Sequence, residues 1–263
     1  MRLGIAGVGG MGSWLARLAI SKGLEVHGYD KDPGRLRGVE GLTPSTSLED
    51  LVAKTDIVIV ATPPTAAPSV LREIGDIASK SGWSGGVADI ATFKKHTIPV
   101  LRSLPPAVRV ASLHPLFGPR ARRLEAHKVL VVPVPGREGE AGLFTSLLGV
   151  LGLRWEPVDP ETHDRVMGLV IGLPYAIGHA LARIAGGTLE EAYRLSGTTF
   201  KALHLLLATL GDPEDMVEYI LGDPDTRYWI RALAGELGSR APRRDTGLYE
   251  HLYCLVEECL NRG

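Results

Sequence analysis

The run Gly7-Val8-Gly9-Gly10-Met11-Gly12 stands between an apolar segment, Arg2–Ala6, and a stretch of helical period that opens at Gly10. Few folds accept that arrangement. Glycines in this place allow a tight strand-to-helix turn, close approach of the backbone to a pyrophosphate and close helix–sheet contact, while N–H groups at the helix start receive phosphates. The next strand pattern, Glu25–Tyr29, is closed by Asp30, whose carboxylate can accept hydrogen bonds from ribose hydroxyls and repel a 2′-phosphate. The expected ligand is a dinucleotide held by Gly7, Gly9, Gly10, Met11, Gly12 and Asp30, with NAD favoured over NADP; Lys31 and Arg35 work against that preference.

Further along, short strand-like runs alternate with helical periods, the pattern of a doubly wound parallel sheet with helices on both faces. Strands are predicted at Arg2–Ala6, Glu25–Tyr29, Asp56–Ala61, Gly86–Asp89, Val108–Ser112, Val129–Pro133 and Leu153–Pro157. Helices are predicted at Gly10–Lys22, Leu48–Ala53, Ala67–Lys80, Lys94–Ser103 and Glu138–Leu151. After Pro160 the strand pattern ends and amphipathic helical segments follow over 160–186, 188–209, 213–222, 224–238 and 246–261. The expected fold is thus α/β: a doubly wound (Rossmann) dinucleotide-binding domain over 1–158 and an all-helical domain over 159–263.

Composition narrows the partners. The 263 residues carry a net charge of -1, which leaves no electrostatic footprint for nucleic acid or an anionic membrane, so a small-molecule substrate is expected. Opening at Met1-Arg2 directly into a strand pattern, with no uninterrupted apolar run of membrane length, predicts a soluble, cytoplasmic protein. Cys254 and Cys259 fit neither a disulfide framework nor a zinc site and read as packing residues, so no metal is expected. The chain has no Gln and one Asn, a depletion of thermolabile amides that suggests a heat-adapted source.

Three predicted strand ends carry polar residues toward the edge where doubly wound sheets bind ligands. Thr62-Pro63-Pro64 is either a cofactor-contacting loop or strand punctuation. Asp89-Ile90-Ala91-Thr92-Phe93-Lys94 brings a carboxylate, a hydroxyl and an ammonium, and Ser112-Leu113-His114-Pro115-Leu116-Phe117-Gly118-Pro119 brings an imidazole. A group that titrates near neutrality at such an edge suits general-base work.

Together with Glu161-Thr162-His163-Asp164 and Gly172-Leu173-Pro174, these segments resemble the prephenate/arogenate dehydrogenases of tyrosine biosynthesis, in the family's order over most of the chain. The resemblance implies oxidation of the C4 hydroxyl of a cyclohexadienol by hydride transfer to NAD(P), with loss of the ring carboxylate as carbon dioxide. It implies that His114 accepts the hydroxyl proton, that Thr92 orients the imidazole, that Asp89 serves the cofactor side, and that the helical domain binds substrate and pairs in a homodimer. Relatives carry His where this chain has Tyr175, with His179 one turn later, and Arg where it has Lys201; Gly197 through Leu210 contains no Arg. The substrate carboxylate is therefore assigned to Lys201, Arg120 or Arg122, or to Arg240, Arg243 or Arg244 of a second subunit, and Lys94, Tyr175 and His179 are placed among the substrate-binding residues. His163-Asp164 reads first as a helix cap or docking pair, with site support as the alternative. His127, His204 and His251 are read as non-catalytic, and Trp14, Trp155 and Trp229 as packing aromatics. Rival functions are an imine or β-hydroxyacid reductase, against which the absence of Lys from Pro160–Gly186 counts, and an NAD-binding sensor without turnover.

Overall fold

The computed structural model describes residues 1–124 and 127–238, without the side chains of residues 208 and 209. The predicted helix over 246–261, both cysteines, His251, Arg240, Arg243 and Arg244 lie outside the described residues. Two compact units divide the chain, Met1–Asp164 and Arg165–Gly263.

The first unit is a doubly wound α/β sheet. Its strands are β1 (Arg2–Ala6), β2 (Glu25–Tyr29), β3 (Thr43–Pro44), β4 (Ile57–Val60), β5 (Gly86–Asp89), β6 (Arg109–Pro115), β7 (Lys128–Val132) and β8 (Arg154–Pro157), in the spatial order β3-β2-β1-β4-β5-β6-β7-β8. The chain winds outward from β1 in one direction through β2 and β3 and in the other from β4 onward, which opens a crevice at the carboxyl ends of β1 and β4. Helices α1 (Gly10–Ser21), α2 (Pro33–Leu36), α3 (Leu48–Lys54), α4 (Ala67–Ser81), α5 (Ile98–Ser103) and α6 (Ala141–Leu151) cover the sheet; α7 (Pro160–Met167) begins in this unit.

Strand β4 shows why the central strands are continuously apolar. Ile57 and Ile59 enter one buried cluster with Leu3, Ile5 and Phe144, while Val58 and Val60 enter the other with Leu51, Leu71 and Leu101. Side chains alternate across the pleat, so a strand covered on both faces needs apolar residues at every position.

Three features depart from the sequence reading. The sheet is not parallel throughout, because β6 and β7 pair antiparallel, Ser112 opposite Val132 and His114 opposite Leu130. The two-residue β3 is too short to leave a periodic pattern. Helix α5 starts at Ile98 instead of Lys94, and the N–H groups of Lys94 and Lys95 donate to the Asp164 carboxylate. Those bonds also tie Asp164 to the first unit, which runs past Val158.

In the second unit a π-helical turn, Gly168–Gly172, leads into α8 (Leu173–Ala185). There follow α9 (Leu189–Arg194), α10 (Thr198–His204), α11 (Glu214–Gly222) and α12 (Pro224–Leu237). The helix predicted over 188–209 is broken, because Gly197 is extended at the N-cap of α10 and restarts the chain there. A Cβ on Gly172 would lie 2.1 Å from Thr226 Oγ1, so α12 crosses the π turn in direct contact. Pro160–Arg194 is long and apolar enough to cross a membrane by length and composition.

Candidate functional site

The glycine turn is built as its sequence demands. Gly7 has φ +95°, in the left-handed region, and a Cβ there would lie 2.7 Å from the Thr62 nitrogen. A Cβ on Gly12 would lie 1.9 Å from the Gly7 carbonyl oxygen. Gly9 caps α1 without a side-chain hydrogen bond, so the first N–H groups of the helix are left for a ligand. Asp30 receives Val8 N–H at 2.7 Å and Asp32 N–H at 2.9 Å, which fixes its carboxylate under the turn. Arg35 stands 3.7 Å from that carboxylate.

Thr62 follows β4 with its Oγ1 buried and without a partner among the described residues. The Pro63 carbonyl accepts from Ala66 and Ala67 N–H, so the prolines open the way into α4. A backbone cradle that any Cβ would fill, bare helix N–H groups and an orphaned hydroxyl fit a dinucleotide pyrophosphate.

Met11 lines a small apolar crevice with Trp14, Ile90, Leu113 and Phe117. Trp14 is more than a packing aromatic: its Nε1–H donates to the Ala121 carbonyl at 3.0 Å and its ring lies 4.9 Å from that of Phe117. With Pro119 3.2 Å from where a Cβ of Gly10 would stand, the loop carrying exposed Arg120 and Arg122 is clamped beside the glycine turn.

At the ends of β5 and β6 lies a second, buried cluster. Asp89 and Ser112 are register partners, which puts their side chains on one face, and Ser112 Oγ–H donates to Asp89 Oδ1 at 2.6 Å. Lys94 is fully buried, its Nζ 2.6 Å from the Ala91 carbonyl, 2.7 Å from the Leu113 carbonyl and 3.4 Å from Asp89 Oδ2. That geometry corrects the expected substrate role of Lys94: with its ammonium turned inward, it clips β5 to β6. Asp89 is likewise fully buried in the clip.

Two residues beyond Ser112 on the same strand face, His114 meets His163, Nδ1 to Nε2 at 2.9 Å. His163 Nδ1 in turn meets Asp164 Oδ1 at 2.8 Å. The alternative reading of His163-Asp164 as site support is therefore the one the geometry favours. Thr92 is half-buried and makes no hydrogen bond to another described residue, so the ring it was expected to orient is held by His163 instead. Only the adjacency of His163 and Asp164 was visible in sequence; their approach to His114 spans 49 positions.

Burial, then the neighbouring Lys94 ammonium and His163, hold the His114 pKa well below the ordinary 6.5. Burial also lowers His163, against the opposing pull of Asp164. For Asp164 itself, burial would raise the pKa, but bonds from His163 and the Lys94 and Lys95 amides outweigh it and hold the carboxyl low. A histidine depressed in the native state stays neutral where the unfolded chain takes a proton, so stability is complete above pH 6.5 and falls as pH drops below it. Unfolding free energies from urea titrations between about pH 8 and 5 are expected to fall with a slope approaching about 1.4 kcal/mol per pH unit for each such proton. The fall should be shallower in His114→Asn, and equal slopes would contradict the assignment.

In the second unit Tyr175 and His179 stack with ring centroids 6.5 Å apart, and Tyr175 O–H donates to Asp212. Burial, then that bond, raise the Tyr175 pKa, so the phenol stays protonated. His179 Nε2 is buried without a partner among the described residues. The Lys201 ammonium lies 5.9 Å from the centre of the Tyr193 ring.

Residues 2–82 match the family described as NADP oxidoreductase coenzyme F420-dependent. A Methanocaldococcus jannaschii protein named "Probable arogenate/prephenate dehydrogenase" is 28% identical over 194 residues, covering 71% of this chain and 42% of the relative. The chain is similar to the arogenate/prephenate dehydrogenases. It spans less than half the length of that curated relative. Among solved structures, a prephenate dehydrogenase from A. aeolicus, in complex with hydroxyphenyl propionate and NAD+, shares the fold at TM-score 0.70 and 20% identity, over 100% of this chain and 94% of the other. A Synechocystis arogenate dehydrogenase does so at TM-score 0.67 and 17% identity, over 100% and 97%.

Proposed function

We propose that the chain is a cytoplasmic, NAD-dependent prephenate or arogenate dehydrogenase, which oxidises the C4 hydroxyl of its substrate while the ring carboxylate leaves as carbon dioxide. The observation that carries this reading is His114: a buried, neutral imidazole at the end of β6, its Nδ1 engaged by His163. Its Nε2 is the nitrogen that accepts the hydroxyl proton. A base in hydrogen-bond reach, neutral at working pH, contributes about 10²–10⁴ in rate. What NAD supplies is acceptance of the hydride from C4.

The chain's own residues do the rest. Gly7, Gly9, Gly10, Met11 and Gly12 receive the pyrophosphate, Thr62 turns its hydroxyl to the cofactor, and Asp30 takes a ribose hydroxyl. Thr92 is the hydroxyl at this edge open to substrate. Exposed Arg120 and Arg122 meet a carboxylate from their clamped loop, and Tyr175, His179 and Lys201 are assigned as substrate-binding residues. The substrate-binding and homodimer role is assigned to residues 159–263, where exposed Ile184, Leu195 and Leu237 offer apolar surface to a second copy.

Asp30 would face the 2′-phosphate of a bound NADP, and like charges at that range cost about a few kcal/mol when partly desolvated. Calorimetric titration is therefore expected to give NAD+ the tighter binding by at least tenfold. Equal or better NADP+ affinity would mean that Arg35 swings from Asp30 to the phosphate. The activity itself is tested by following reduced cofactor with prephenate and with arogenate; turnover of neither, by protein that binds NAD+, would leave a binding module.

A further inference from the structure

We propose that His163 and Asp164 are positioning residues that fix His114 in the tautomer with its proton on Nδ1, so that Nε2 presents the lone pair. The inference rests on the reading of His114 as the base and names what makes that base competent.

The direction of the chain of bonds is set at its far end. The backbone N–H groups of Lys94 and Lys95 can only donate, and they meet Asp164 at 2.8 Å and 3.0 Å from Lys94 and at 2.8 Å from Lys95. An ionised carboxylate can only accept, so the 2.8 Å contact with His163 Nδ1 must carry its proton on the imidazole. A neutral ring has one N–H, which leaves His163 Nε2 as an acceptor. The 2.9 Å contact then requires His114 Nδ1 to be the donor. With that proton placed, the lone pair of neutral His114 falls on Nε2 and nowhere else.

Burial enforces the logic. His163 is fully buried, His114 and Asp164 are 5% exposed, and the Lys94 ammonium discourages a resting positive charge on either ring. Water cannot readily supply an alternative partner that would let a ring flip its tautomer. After His114 takes a proton at Nε2, the cation is already bonded through Nδ1–H to an imidazole backed by a carboxylate. The same division of roles operates in an aspartate-oriented histidine base, with one imidazole more between acid and base.

The decisive variant is Asp164→Asn. At the Oδ2 position the Asn oxygen keeps the bonds from Lys95 N–H and, at 3.0 Å, Lys94 N–H, so its NH₂ takes the Oδ1 position facing His163 Nδ1 and the bonds along the histidine chain reverse. His163 becomes the Nε2–H form, His114 must accept at Nδ1, and its Nε2 carries a proton it cannot use to take another. The expected result is a kcat lower by about 10²–10⁴ with prephenate, with KM and the NAD+ dissociation constant within about threefold of wild type. In ¹⁵N-histidine-labelled protein, the His114 nitrogens should read Nδ1–H in wild type and Nε2–H in Asp164→Asn. His163→Gln, whose amide oxygen can still accept from His114, should retain at least tenfold more kcat than His163→Leu. A structural role alone predicts lost thermal stability, activity that follows the folded fraction and no change of tautomer.

The wild-type spectrum tests the proposal even if a variant does not fold: His114 protonated at Nε2 overturns it. So does a folded Asp164→Asn with wild-type kcat. A fully active His114→Asn would instead remove the base assignment and leave the tautomer result standing, so the two failures can be told apart.

Discussion

His114→Asn is expected to keep the fold and NAD+ affinity and to lower kcat by about 10²–10⁴, because the side chain that takes the C4 hydroxyl proton is gone while the glycine turn is untouched. The wild-type rate should fall only below pH 6.5, since burial, Lys94 and His163 hold the free imidazole's pKa down. That acid limb should be absent from the variant. Steady-state rates between about pH 5 and 8, with thermal melts on the same samples, check both points. Activity that merely tracks the folded fraction would reduce His114 to a packing residue.

Lys94→Met is expected to act on stability and not on substrate affinity. The ammonium is fully buried among two carbonyls and Asp89, which is itself fully buried. Removing one member of a buried pair leaves the other charge uncompensated, at a cost of about 3–5 kcal/mol. Asp89→Asn in the same chain should restore part of the loss, because the charge left unpaired is then absent. Denaturant unfolding of the single and double variants measures this. A stable Lys94→Met with a raised KM would return Lys94 to the substrate.

The contrast between these two residues shows what sequence could carry. Strand ends were legible because polar residues interrupt apolar runs where the chain leaves the sheet, so β1, β2 and β5 lie where periodicity puts them. The glycine turn was legible because only glycine tolerates φ +95° at Gly7 and a neighbouring carbonyl at Gly12. Lys94 was assigned to the right edge but the wrong side of it. Sequence places a residue at an edge, whereas whether a long side chain turns inward depends on which carbonyls lie bare within reach. Likewise, Asp164 sits 70 positions from the Lys94 N–H it accepts, a tertiary contact that spacing does not encode. The antiparallel β7 was hidden for a related reason, since side-chain alternation is the same in both strand directions.

The most direct test of the account is the stoichiometry of a single reaction. Prephenate labelled in its ring carboxylate, incubated with the protein and NAD+, should release labelled carbon dioxide and form NADH in equal amounts, both slowed together in His114→Asn. NAD+ that binds while neither NADH nor carbon dioxide forms, with prephenate or with arogenate, would contradict it.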